Sequence, residues 1–145
     1  MKAEFVAYLD SLEATDQVLT RVETILNFYK DLCPEDVLDI FISEYIKKDG
    51  NREYQSLWLF SKRFMMEAKN FLIQDDFDIA PINNFVTYGD IQKNEYDFNT
   101  TSEESRLFFK FSITDVVNGE LKASKRNCNF LKAIILKYFM PNMRA

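Results

Sequence analysis

Residues 2–32 contain neither glycine nor proline, and they place Phe5, Leu12, Leu19 and Leu26 seven residues apart, with Tyr8, Val22 and Tyr29 three residues after three of them. Apolar side chains at that spacing fall on one side of an α-helix, so this stretch is constrained to an amphipathic helix. Thr15 occupies the remaining second seam position, and Thr15-Asp16 has the chemistry of a helix N-cap. One long helix and a helical hairpin broken near Ala14 are therefore both compatible with the pattern. The stripe can pack on the chain's own core or pair with a second copy, which makes Phe5, Leu12, Leu19 and Leu26 the candidate self-association residues. Cys33-Pro34 ends the helical run, because proline disfavours helical backbone in the residue before it. The expected organisation is an N-terminal helical segment, 1–33, joined to an antiparallel β domain with a C-terminal helix, 34–145, as one compact unit.

Past Pro34 the periodicity changes. Leu38, Phe41, Ile42, Tyr45 and Ile46 fit a helical pattern, while Ile40, Phe41 and Ile42 have strand chemistry, so residues 36–46 remain ambiguous between helix and strand. Asp49-Gly50 sits in a turn-rich run followed by YQSLWLFS, which suggests a hairpin. Leu107, Phe109, Phe111 and Ile113 alternate with Phe108, Lys110, Ser112 and Thr114, the clearest strand signal in the chain. Phe108, beside Lys110 on the outward register, is a candidate for an exposed aromatic patch. Asn118-Gly119 reads as a turn and residues 120–123 as a short strand. Ser124 or Asn127 can cap a last helix whose apolar face is Cys128, Leu131, Ile134, Ile135 and Tyr138, stopped by Pro141. The fold class is α+β: an N-terminal helix or helical hairpin, an antiparallel sheet or partly open barrel of six to seven strands, and a C-terminal closing helix.

The chain has 145 residues, 47% of them hydrophobic, enough for a core without disulfide or metal staples. It contains no histidine, which removes Ser-His and Cys-His nucleophile pairs and histidine-ligated metal sites. Cys33 and Cys128 are too few and too distant for a zinc ribbon or a disulfide framework. Asp75, Asp76 and Asp78 lack the glycine and the distal glutamate of a calcium loop. No cofactor, metal or catalytic group is nominated. The net charge of -5 argues against nucleic acid as a partner. That charge is uneven, however, because residues 122–145 carry six bases and no acid, which leaves an acidic membrane surface open as a partner. No stretch approaches the length of a transmembrane helix and the N-terminus has no apolar signal-peptide core, so a soluble cytoplasmic protein is expected.

The stretch LWLFSKRFMMEA resembles the paired strands around the turn in bacterial pleckstrin-homology-like (PH-like) and GRAM-like domains. Several aromatic strands follow it, then RLFFKFSI, a short turn-linked strand, and NCNFLKAIILKYF in the place of their closing helix. The similarity covers about residues 38–140 and leaves the first 37 unmatched. It implies a phosphate-gripping first hairpin loop, onto which Lys47, Lys48 and Arg52 map, with Lys62 and Arg63 of the next turn as possible additions. Asp49 and Glu53 share that loop and weaken the pattern. The expected function is a non-enzymatic interaction module of PH-like type that binds another protein or forms a homodimer. The alternative is a small acidic secretion-type chaperone acting as a dimer on an extended client segment. A carboxylate-based enzyme is the third class, with no acid pair singled out.

Overall fold

A computed structural model describes residues 1–46, 51–82, 86–94, 106–113 and 117–143. The predicted N-terminal helix is two: α1 (Ala3–Ser11) and α2 (Asp16–Leu32). The chain breaks between them at Glu13, which adopts left-handed backbone with φ 55°. Thr15 then caps α2, its hydroxyl oxygen accepting the Val18 N–H at 3.4 Å. The seven-residue stripe is thus split across two helices that pack inward. Phe5 and Leu12 are buried, and Leu19 and Leu26 are half-buried against the same core.

Seven strands follow among the described residues: β1 (Asp39–Ile46), β2 (Arg52–Phe60), β3 (Phe64–Lys69), β4 (Phe77–Pro81), β5 (Val86–Asn94), β6 (Arg106–Ile113) and β7 (Val117–Ala123). They are antiparallel and divide into two sheets, β1-β2-β3-β4 and β5-β6-β7, instead of one continuous sheet or barrel. The sheets meet where the Lys122 N–H of β7 donates to Ser43 Oγ of β1, at 2.8 Å, beside a register shift in β1 between Ile42 and Glu44. Residues 39–46 are strand. Their apparent helical spacing arises because Ile40, Phe41 and Ile42 are all buried; a strand covered on both faces has no alternation to display. The same holds in β2, where Leu57, Trp58, Leu59 and Phe60 are buried in succession. The hairpin inferred from Asp49-Gly50 has its turn outside the described residues, while its strands pair as expected, ending at Ile46 opposite Arg52.

Asn118-Gly119 is not a turn. Both residues lie within β7, opposite Ser112 and Phe111. A Cβ on Gly119 would stand 2.4 Å from Phe111 Cζ and 2.9 Å from Trp58 Cη2, so the glycine serves a close approach between sheets.

The C-terminal helix closes the sandwich as α3 (Cys128–Ile134), extended by a π-helical turn, Ile135–Phe139, and a 3₁₀ turn, Met140–Asn142. Phe139 inserts between the sheets with ring centroids 4.9 Å from Phe109 and 4.6 Å from Phe111, and Tyr138 stacks on Phe60 at 4.7 Å. Ser124 and Asn127 do not cap this helix through their side chains. Asn127 is buried and ties three elements together. Its Nδ2 donates to Ile42 O at 2.7 Å, and its Oδ1 accepts the Tyr8 hydroxyl at 2.9 Å. Ser124 Oγ donates at 2.5 Å to Glu44, a carboxylate with 0% exposure whose charge is met by Arg126 Nη2 at 3.0 Å. Among the described residues, no helix is long and apolar enough to cross a membrane.

Candidate functional site

The register shift in β1 and the division into two sheets leave a cleft of about 720 Å³. One wall comes from β1, β2 and β3, with Ser43, Ser56, Glu67 and Lys69. The other comes from β6 and β7, with Lys110, Asn118 and Lys122. Phe111 contributes apolar surface, and its position depends on the absent Cβ of Gly119. A volume of this size lies in the range of about 300–1,000 Å³ occupied by small-molecule sites and peptide anchors.

The charges in the cleft are of both signs and mostly paired. Lys69 Nζ meets Asp78 at 2.6 Å, and Lys122 Nζ stands 4.0 Å from Glu120. Lys110 is exposed and has no ion pair among the described residues. Glu67 accepts the Ser56 hydroxyl at 2.8 Å. Burial of this carboxyl raises its pKa above the ordinary glutamate value, and the Ser56 hydrogen bond only partly offsets that. A cleft of this composition offers hydrogen bonds and the exposed Lys110 amine, flanked across the strands by Asp90 and Glu120, to an occupant.

A second hollow of about 600 Å³ lies between α1, α2 and the segment leading into β1, with Phe5, Leu26, Cys33 and Glu35 in its walls. Lys2, Glu35 and Asp36 in its walls are already engaged. Lys2 Nζ donates to Asp36 and to Val37 O, both at 2.6 Å. Glu35 binds Arg63 and accepts the Ser61 hydroxyl, and the Arg63 hydrogen bond holds its carboxyl below the usual range. Burial pushes the Tyr29 phenol up to about 12 where its hydroxyl meets Ser61 Oγ at 2.7 Å. These contacts fasten α2 to the β2–β3 turn.

Of the candidate anion-binding residues, the described ones do not form one cluster. Lys47 and Lys48 lie outside the described residues. Arg52 begins β2, whereas Lys62 and Arg63 follow its other end. Successive turns of an antiparallel meander fall at opposite ends of the sheet, so the length of β2, about 30 Å at about 3.3 Å per residue, separates the two groups. Arg63 is further committed to Glu35, while Lys62 is exposed. Phe108 is half-buried, with exposed Lys110 two residues on. Asp75 and Asp78 of the acidic run pair with Arg21 at 2.8 Å and Lys69 at 2.6 Å. Both cysteines are free.

Sequence reasoning passed over Ser56, Glu67 and Asn118, since each is an ordinary polar residue on a strand; β2–β3 pairing joins the first two, and only the junction of the sheets adds Asn118. Trp58 was visible as the sole tryptophan, but nothing local placed it beneath a cleft. No family model, no curated protein and no solved structure matches this chain.

Proposed function

We propose that the protein is a non-enzymatic interaction module of PH-like type, and that it binds an extended segment of another protein in the cleft between its two sheets. The order of a four-stranded sheet, a three-stranded sheet and a closing helix is compatible with that fold type and supports the comparison. The observation that carries the functional reading is the cleft itself. It is a groove between two strand systems, lined by hydroxyl, amide and amine side chains, with the exposed Lys110 on its rim. Such a surface hydrogen-bonds a peptide and attracts one with an acidic residue. The chaperone alternative draws less support, because the described residues between 54 and 123 contain no helix of the kind that class inserts into its sheet.

Panning a displayed library of random peptides on the full chain tests the reading. Peptides enriched on the native protein should bind at least about tenfold more weakly to the Lys110→Glu and Tyr88→Glu variants. Both positions are exposed and line the cleft, so Tyr88→Glu should keep the thermal midpoint, while Lys110→Glu, opposite Asp90 and Glu120, should lower it only slightly. Enrichment of no peptide, or equal binding to native and variant proteins, would overturn it.

A further inference from the structure

The hollow of about 600 Å³ between α1, α2 and the segment leading into β1 is lined by residues from 1–37 alone. Those are the residues that the PH-like resemblance leaves unmatched, so the hollow is built by what this chain adds to its strands and closing helix. Its volume falls within the range of about 300–1,000 Å³ occupied by small-molecule sites. Phe5 and Val37 are its deepest apolar residues, each with a little surface left, 5% and 8%. Half-buried Leu26 and exposed Pro34 add apolar surface nearer the mouth.

The polar walls are unequal. Lys2 and Asp36 neutralise each other, and Glu35 is held by Arg63 and Ser61. Lys30, by contrast, is exposed and makes no ion pair or side-chain hydrogen bond among the described residues. A helical side chain lies over the turn before it, so the Lys30 stem runs over Leu26 and Asn27, four and three residues earlier on α2. Both of those line the hollow, as does Lys30 itself. Asp31, the acid next in sequence, is turned about 100° away round the helix. Asn27 is exposed as well and brings amide donors to the same side as the Lys30 amine.

The uncommitted side-chain donors of the hollow are therefore grouped on α2, and the rest of its uncommitted surface is hydrocarbon. A cationic occupant would meet Lys30 and find both carboxylates already taken. A carboxylate gains the Lys30 ammonium and the Asn27 amide as hydrogen-bond donors, and an alkyl chain behind it covers Leu26, Pro34, Phe5 and Val37. We propose that this hollow binds a small amphipathic carboxylate, a medium-chain fatty acid, with its headgroup on Lys30 and Asn27. The site is separate from the cleft and does not rest on the interaction-module reading.

Titration of the ¹⁵N-labelled full-length chain with octanoate at neutral pH tests it. Backbone amide shifts should saturate and concentrate in residues 26–37, away from the cleft strands. Each buried methylene tightens binding about three- to fourfold, so hexanoate should bind about tenfold more weakly. 1-Octanol, which has the chain without the charge, should bind about fivefold more weakly, and octylamine at least about tenfold more weakly. Lys30→Met should bring octanoate down to the level of octanol and leave octanol unchanged. Lys30→Arg should keep the difference, and Lys132→Met, at an exposed lysine of α3, should change nothing. No saturable shift in residues 26–37, shifts centred on the cleft, octylamine binding as well as octanoate, or Lys30→Met keeping the preference for octanoate each overturns the proposal. So does N-acetylleucine binding as tightly as octanoate, which would assign the hollow to the C-terminal residue of a peptide.

Discussion

Replacing Arg126 with methionine keeps much of the side-chain volume and deletes one charge, which isolates what that charge does for Glu44. The Glu44 carboxylate has no exposure and is held by Arg126 Nη2 at 3.0 Å, Arg126 Nε at 3.2 Å and Ser124 Oγ at 2.5 Å. Arg126 Nη2 also reaches Tyr54 Oη at 3.4 Å, so the guanidinium connects β1, β2 and the start of the last helix. Taking one partner from a buried ion pair leaves an uncompensated charge and costs about 3–5 kcal/mol. For a domain whose total stability is about 5–15 kcal/mol, that is a large fraction. At roughly 3 °C per kcal/mol for a chain of this size, the thermal midpoint should fall by about 10–15 °C. Urea unfolding measures the free energy directly. The double variant Glu44→Leu with Arg126→Met, which removes both charges, should recover most of the loss. A cost below about 1 kcal/mol for Arg126→Met, or a double variant no better than the single, would refute the reasoning, because either result means that the carboxylate reaches water in the native protein.

Gly119→Ala should cost about 1–3 kcal/mol in urea unfolding and alter Trp58 emission, since the new methyl meets the Phe111 and Trp58 rings. Glu13→Gly should stabilise by up to ~1 kcal/mol by relieving left-handed backbone at φ 55°; a loss in urea unfolding would mean that its 3.7 Å contact with Arg126 matters more. Glu67→Gln should raise the thermal midpoint at neutral pH. The buried carboxyl has a raised pKa, so its ionised form weakens the fold above that pKa, and the advantage of glutamine should vanish as pH falls to about 4, where the acid is protonated in both states. Ending the chain after Ala123 removes the buried Leu131, Ile134, Ile135, Tyr138 and Phe139, and calorimetry should then find no cooperative transition near the full-length midpoint.

The cleft residues illustrate the limit of local reading. Ser56 and Glu67 lie on adjacent strands, β2 and β3, whose pairing the sequence does suggest, yet Asn118 reads locally as half of a turn and in the fold lies within β7. Among the described basic residues tied to the implied phosphate site, Arg52 stands apart from Lys62 and Arg63 for the opposite reason. They are near in sequence, but a nine-residue strand carries Arg52 away from Lys62 and Arg63.

Where one face of an element meets the core and the other meets water, periodicity is imposed on the sequence, and there it sufficed. The stripe from Phe5 to Leu26 specified helix, Thr15 specified a cap, and Leu107 to Ile113 specified a strand alternating between core and surface. The same one-sided burial marked Leu131, Ile135 and Tyr138 as the inner face of the closing helix. Tertiary structure alone decided the rest. β1 and β2 are covered on both faces and carry no period. Where the two sheets meet, β1 shifts register beside Ser43 and a glycine's missing Cβ lets Trp58 approach β7. Glu44 and Arg126, 82 residues apart, become an ion pair only when β1 meets the last helix. Local pattern encodes which side of an element avoids water; which elements share that dry interior, and which polar groups they bring with them, is set by packing between distant parts of the chain.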